Sequence, residues 1–437
     1  MEIGIVGGGI LGITLGYFLA KQGARVTIYE ASDTLGGLAG PIKMEGYNID
    51  RFYHAILTSD GHLQSLFAEL DISDRYRCKE TQAAFYQQGH FYPMNNMKDF
   101  MTFPLLSLFD RFRLGLTIVY ARTVRDLNRV EAVDVESWLT RVSGRRTFEN
   151  FWRPMLRAKF DGSFANTPAT YIWSRLNRMS STRSGANQKE MSGYLVGGYI
   201  TLIEAMADRI RAAGGEIQLK TPVQEVVVRD GQLKGVQTAA GLQKFDRVVV
   251  TMQTPLFTRL APGLPRDYQD FLGKTDYLGI VCPLLVLDRP LSDYWTLYIT
   301  DESIPFTGVI ETTSYINPQD VGGNYLVYLP KYTLPGSAWF KMSDEEVRET
   351  WLKYLEQMFP DFRRESIRHM FVHRERLVEP IHPLNGMPLI PEMSTPVRDL
   401  YLVNAGQIYP ELTNGESVTR HARKAVEVIG RETRMDS

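Results

Sequence analysis

Cysteine is nearly missing from this chain. Only Cys78 and Cys282 occur among 437 residues, too few for a disulfide framework or a thiolate metal cluster, so a reducing, cytoplasmic setting is the expectation. An excess of one charge is missing too: 49 Lys and Arg face 50 Asp and Glu for a net of −1, and no basic field points to nucleic acid. No apolar run is long and clean enough to cross a bilayer, which takes about 20 predominantly apolar residues. The nearest approach, "FMTFPLLSLFDRFRLGLTIVYA" at 100–121, is interrupted by Asp110, Arg111 and Arg113 and leaves room only for peripheral contact with a membrane. The apolar start has Glu2 ahead of it and no basic segment, so a signal peptide is not expected. Metal-ligand spacings, a nucleophile elbow and a P-loop are all lacking.

What the chain does have begins at its first residues. "MEIGIVGGGILGITLGYFLAKQGARVTIYEAS" has the pattern of a strand, a Gly-rich turn, a helix and a second strand. The turn is spaced Gly7-x-Gly9-x-x-Gly12. The first glycine permits a tight turn, the second lets backbone approach a pyrophosphate, and the third lets helix and strand pack closely. The N–H groups around Ile10 and Leu11 then face the phosphates with the positive end of the helix dipole. Glu30 falls at the end of the second strand, with Ala31 after it, where a carboxylate accepts ribose hydroxyls. A dinucleotide site in an α/β domain follows.

Just beyond lies "SDTLGGLAG". A second glycine pair, Gly36-Gly37, followed by Leu38 and Ala39, resembles the glutathione-reductase-type FAD proteins, and among them the amine oxidase and protoporphyrinogen oxidase group. The resemblance implies FAD rather than NAD. It also assigns "NAGQIYPELTNGES" near the C-terminus to a strand–loop–helix unit that closes over the flavin, through Gly406, Gly415, Glu416 and Ser417. Within 193–262 it places Val223 against the adenine. The implied architecture is an α/β, Rossmann-type FAD-binding domain built from 1–90, 191–262 and 395–437. A helical insertion (91–190) and a mixed, mainly antiparallel substrate sheet (263–394, with one helix near 343–358) enclose the substrate cleft.

Three segments carry a narrower likeness. "RFYHAILTSD" (51–60), "TYIWSRLNR" (170–178) and "GYLVGGYITLIEAM" (193–206) resemble parts of UDP-galactopyranose mutases. That implies His54 beside the flavin, with Arg175 meeting a substrate diphosphate as a catalytic candidate; Arg157, Lys159 and Tyr194 complete the candidate substrate contacts. The plainer alternatives are a structural His54 and cations that cap a helix. Few acids stand near these cations in the sequence, as a solvated face would require. Where amine oxidases resemble one another in a flavin-side lysine, this chain aligns Cys282, most simply a small buried hydrophobe. The expected function is an FAD-dependent oxidoreductase passing a hydride from a small organic substrate to flavin N5, with an unnamed electron acceptor. The alternative is a mutase-like enzyme on a nucleotide sugar without net redox change.

Overall fold

The computed structural model describes residues 1–160, 162, 164–181 and 190–435. Its base is a five-stranded sheet in the order Glu216–Gln218, Arg25–Tyr29, Glu2–Val6, Arg247–Val250, Leu400–Leu402. Every pairing is parallel, so each connection must cross over and both faces are covered. Strand alternation sorts the side chains. Ile3, Ile5, Val26 and Ile28 pack under the helices Ile10–Lys21, Tyr199–Ala212 and Gly415–Met435. Val6, Tyr29, Val248 and Val250 turn the other way, onto Val226, Val236 and Phe257. Val226 and Val236 belong to an antiparallel meander, Glu225–Arg229, Gln232–Thr238 and Gly241–Gln243. The hairpin turn there is made by Asp230 and Gly231 at φ 54° and 70°, the backbone that an Asp-Gly pair supplies to a two-residue turn. Segments from the start, middle and end of the chain thus share one sheet.

The second sheet is larger. Its longest members, Asp276–Leu287 and Ile367–Ile381, run antiparallel, and Tyr325–Tyr328, Gly308–Glu311 and Thr296–Ile299 extend it. The helix Asp344–Met358 opens with a Ser343/Glu346 capping box, satisfying two orphan N–H groups. It drives Trp351, fully buried, into the sheet's outer core. One feature departs from an antiparallel expectation: Ala83–Gln87 pairs in parallel with Thr296–Ile299, bringing His90–Pro93 with it. Nothing local in 83–93 signals this, because the partner strand lies far along the chain.

The helical unit follows, from Met97–Thr102 through Leu108–Thr123 and Arg153–Phe160 to Thr170–Ser181. Its core of Phe103, Trp138, Phe148, Trp152, Leu156 and Ile172 reaches Phe85 and Leu278 of the large sheet, which ties the two together.

Candidate active site

The Gly-rich turn has the backbone that each glycine was expected to supply. Gly7 takes φ +110°, and a Cβ on Gly12 would overlap Gly7 O; both positions exclude side chains for internal reasons. Gly9 differs. Nothing lies within 4 Å of where its Cβ would stand, and the first intrahelical bond is Ile13 N–H to Gly9 O at 3.0 Å. The preceding N–H groups of Ile10, Leu11 and Gly12 are therefore available to a ligand. The second glycine pair folds onto this turn: Gly36 N–H donates to Gly8 O at 2.9 Å, and Gly36 and Gly37 take φ +112° and +57°. Leu38 and Ala39 continue in a short turn on which the chain reverses. Glu30 reaches over the same turn, accepting from Gly8 N–H and Ser32 N–H, each at 2.8 Å, beside an exposed Ala31. An open backbone cradle with a carboxylate at its edge fits the diphosphate and ribose of a dinucleotide.

The other cofactor candidates are more scattered. Val223 is half-buried, packed at the edge of the meander cluster. Gly406 lies close to the Tyr277 hydroxyl, and Gly415 faces the Tyr199 hydroxyl. Glu416 is engaged elsewhere than at a ligand: its Oε2 accepts from Leu63 N–H at 2.8 Å, capping the helix Gly61–Glu69. Ser417 donates to Leu412 O at 2.8 Å, while its N–H donates to Asn414 Oδ1 at 3.1 Å. Of this terminus, the backbone rather than these side chains is free to meet a cofactor.

Residues 51–55 form a half-buried passage between the hairpin strand Tyr47–Asp50 and the short strand Ile56–Leu57, with Phe52 fully inside, not a solvent loop. The His54 ring lies 5.0 Å from the Tyr199 ring, and its Nδ1 is buried without a partner among the described residues. Burial pulls its pKa down to about 4, so the imidazole is neutral near pH 7. Next to it, Asp50 accepts from Tyr199 N–H at 3.0 Å, and burial pushes its carboxyl up to about 7, against that hydrogen bond. Both groups line one cavity with Tyr194, Gly197 and Gly198. Tyr194 serves that wall structurally, donating to Asp320 Oδ2 at 2.7 Å and accepting from Asn317 N–H at 3.1 Å.

A second cleft opens where the three units meet. Phe160 and Tyr171 come from the helical unit, Glu379, Pro380 and His382 from the long strand and its exit, and Tyr409 and Leu412 from the C-terminal loop. Tyr171 and Phe160 meet edge to face at 4.6 Å, and His382 lies against Tyr409 at 4.0 Å. Burial holds His382 down at about 4. Tyr409 is itself fixed by the buried Glu131, which accepts from its hydroxyl, from Thr170 Oγ1 at 2.6 Å and from Gly386 N–H at 3.0 Å. This carboxylate joins the helical unit to the C-terminal loop.

The three candidate cations go separate ways. Arg157 pairs with Glu302 at 2.9 Å on a largely exposed edge. Lys159 pairs with Glu379 at 3.1 Å and lies 4.2 Å above the Tyr332 ring. Burial works against the Lys159 charge, but the Glu379 carboxylate together with Tyr171 and Tyr53 raises the pKa on balance. Arg175 sits beside the hydroxyls of Tyr171 and Tyr298, its buried Nε unpartnered among the described residues. The acids that few local positions supply come from far along the chain: Glu302 from the turn after Thr296–Ile299 and Glu379 from the strand Ile367–Ile381, where no i±4 rule could find them.

Residues 12–378 match the family described as flavin containing amine oxidoreductase. The chain belongs to that family. This flavin amine oxidoreductase is 23% identical over 390 residues to the 15-cis-phytoene desaturase of Synechococcus elongatus, an alignment covering 82% of this chain and 80% of the relative. Its fold is similar to that of an oxidoreductase from Methanosarcina mazei, with TM-score 0.77, 19% identity, and 98% and 100% of the two chains covered. It is also similar to a reduced UDP-galactopyranose mutase, with TM-score 0.74, 16% identity and coverage of 98% and 95%. At such identities the structural likenesses concern fold alone. The resemblance seen in the glycine pairs is thus confirmed, and the protein is an FAD-dependent oxidoreductase.

Sequence reasoning missed His382, Tyr409 and Glu131. The first two sit in "IHPLNG" and "QIYPEL", where an aromatic beside proline is a common loop signal with no chemical spacing around it. Glu131 had no signal at all.

Proposed function

We propose that this enzyme dehydrogenates a small, neutral or largely apolar organic substrate in the cleft between the helical unit, the long strand and the C-terminal loop, with the hydride passing to flavin N5. The carrying observation is the lining of that cleft: Phe160, Tyr171, Pro380, His382, Tyr409 and Leu412. It offers aromatic and apolar surface with a few polar groups, as small-molecule sites do. The cradle of Gly7, Gly9, Gly12, Glu30, Gly36 and Gly37 is assigned to FAD, which supplies a two-electron acceptor when bound.

The chain's own groups do the rest. Phe160 and Tyr171 hold apolar surface against the substrate and keep water away from it. A substrate that loses a hydride must also lose a proton from a neighbouring atom. His382, uncharged near pH 7, has a lone pair to receive it, and its contact with Tyr409 holds the ring in place. His54 is assigned to the flavin side as the matching neutral imidazole, through its contact with Tyr199 and the adjoining Gly415.

One observation keeps the mutase-like alternative in view: Arg175 is half-buried beside the hydroxyls of Tyr171 and Tyr298, its Nε without a partner among the described residues. Arg157 and Lys159, however, are already matched by carboxylates, which leaves a weak clamp for a diphosphate. The test is anaerobic mixing with amines, alcohols and alkenes while flavin absorbance is followed. Bleaching that slows at least tenfold in His382→Ala supports the reading. Perturbation of the spectrum by UDP-sugars, with no bleaching by any reductant of the first kind, replaces it with the mutase.

A further inference from the structure

The helix Leu108–Thr123 is packed the wrong way round for a water-soluble surface. Its buried side consists of Asp110, Leu114, Thr117 and Ala121. The bulky apolar residues point outward: Leu108, Phe109, Phe112, Leu116, Val119 and Tyr120 are 68%, 66%, 65%, 51%, 59% and 48% exposed. Spaced at 0, 1, 4, 8, 11 and 12, they form a single stripe along the helix. The preceding helix Met97–Thr102 adds Met97 and Met101, 72% and 46% exposed, and Arg111 clamps the two helices together through the carbonyls of Met101 and Phe103. Most of the large exposed hydrophobics among the described residues fall in these two helices. Patches of this kind mark an interaction surface.

Charge says which surface. The helix has one acid, Asp110, and it is buried in the Ser107 capping box; its other charges are all cationic, Arg122 exposed and Arg111 and Arg113 half-buried. Arg113 lies over the Phe109 ring at 5.8 Å, on one flank of the stripe, and the exposed Arg122 lies on the other. Lys98 and Arg125, both exposed, extend the rim. We infer that these two helices lie in the interface of an anionic lipid bilayer, with the stripe among the acyl chains and the arginines at the headgroups. An amphipathic helix with aromatic and leucine residues on one face and cations beside them suits that position. A second copy of the chain fits worse: a two-fold interface presents the same patch to itself, so its cationic rim would face its own like. Among the described residues no helix is long and apolar enough to cross a membrane, so the contact is interfacial. The helix packs on Thr170–Ser181, which supplies Tyr171 to the cleft, but the proposal stands apart from the chemistry there.

Flotation of the FAD-loaded enzyme with vesicles tests it. Vesicles of phosphatidylcholine with roughly one third phosphatidylglycerol should carry the protein, vesicles of phosphatidylcholine alone should carry much less, and salt should reduce the difference. Phe112→Asp/Leu116→Asp changes only exposed positions and should lower binding about tenfold or more, with flavin content and melting temperature unchanged as the check on folding. Arg122→Glu/Arg125→Glu should remove the preference for the anionic vesicles. The proposal is overturned if the enzyme floats with neither vesicle, or if the aspartate variant binds like wild type. It is equally overturned if wild type runs as a dimer that the aspartate variant splits, since the stripe then belongs to a second copy.

Discussion

Replacing Gly9 by valine should separate holding the fold from holding the cofactor. Gly9 has φ −65° and ψ 171°, which any L-residue adopts, and nothing stands within 4 Å of its Cβ position. The flavin-free variant should therefore keep its stability to within about 0.5 kcal/mol. The added isopropyl group projects into the space above the turn, where the diphosphate must approach backbone N–H groups closely. In wild type, free FAD at about one hundred times its dissociation constant adds about 2.7 kcal/mol, seen as a rise of roughly a few degrees in melting temperature. Gly9→Val should show no such rise and should purify colourless. Gly12→Val is the contrast, because its Cβ overlaps Gly7 O; overpacking against rigid backbone should cost about 3 kcal/mol or more even without flavin. Differential scanning calorimetry of flavin-free and FAD-saturated samples gives all the values. A Gly9→Val protein that retained a normal flavin spectrum would sink the assignment of this turn to FAD, as would one that melted as low as Gly12→Val.

Other expectations follow from the same geometry. Glu30→Ala removes the carboxylate at the edge of the cradle and should weaken FAD retention by about 1.5–3 kcal/mol, measured as released flavin on dilution; unchanged retention would move the ribose elsewhere. Lys159→Met strands the Glu379 charge and should destabilise by about 3–5 kcal/mol in urea, whereas Lys159→Met/Glu379→Gln should recover most of it. Asp50 keeps its proton up to about pH 7 when folded but ionises near 3.8 when unfolded, so between those values it makes stability fall as pH rises. Asp50→Asn should gain on wild type by up to about 1.4 kcal/mol per pH unit from pH 5 to 7, and a constant difference would refute the buried acid. His54 acts in the opposite sense, since a folded value of about 4 against 6.5 unfolded makes its contribution fall as pH drops through that window. His54→Ala should accordingly flatten the acid-side loss, and should also change the flavin absorption envelope if the ring faces the cofactor.

Much of the nucleotide fold was legible in the sequence because its constraints are local. The positive φ at Gly7 and the tight approach at Gly12 each leave a residue type at a fixed offset, and Gly36-Gly37 repeats the device a few residues later. The same holds for the Asp230-Gly231 turn. The broken apolar run at 100–121 showed that no clean span was present, but not which side of the helix its phenylalanines take. Facing is a property of packing: a helix buries whichever side its neighbours complement, and here they accept Asp110 and Thr117 while Phe109 and Phe112 stay outside. The cations of the helical unit teach the same lesson. Their residue types and density suggested an anion site, yet Arg157 and Lys159 are met by Glu302 and Glu379, from a turn and a strand that reach the helices only in three dimensions. Charge pairing at short range leaves a pattern in sequence; pairing across a fold leaves none, because the Coulomb attraction depends on distance in space and is indifferent to separation along the chain.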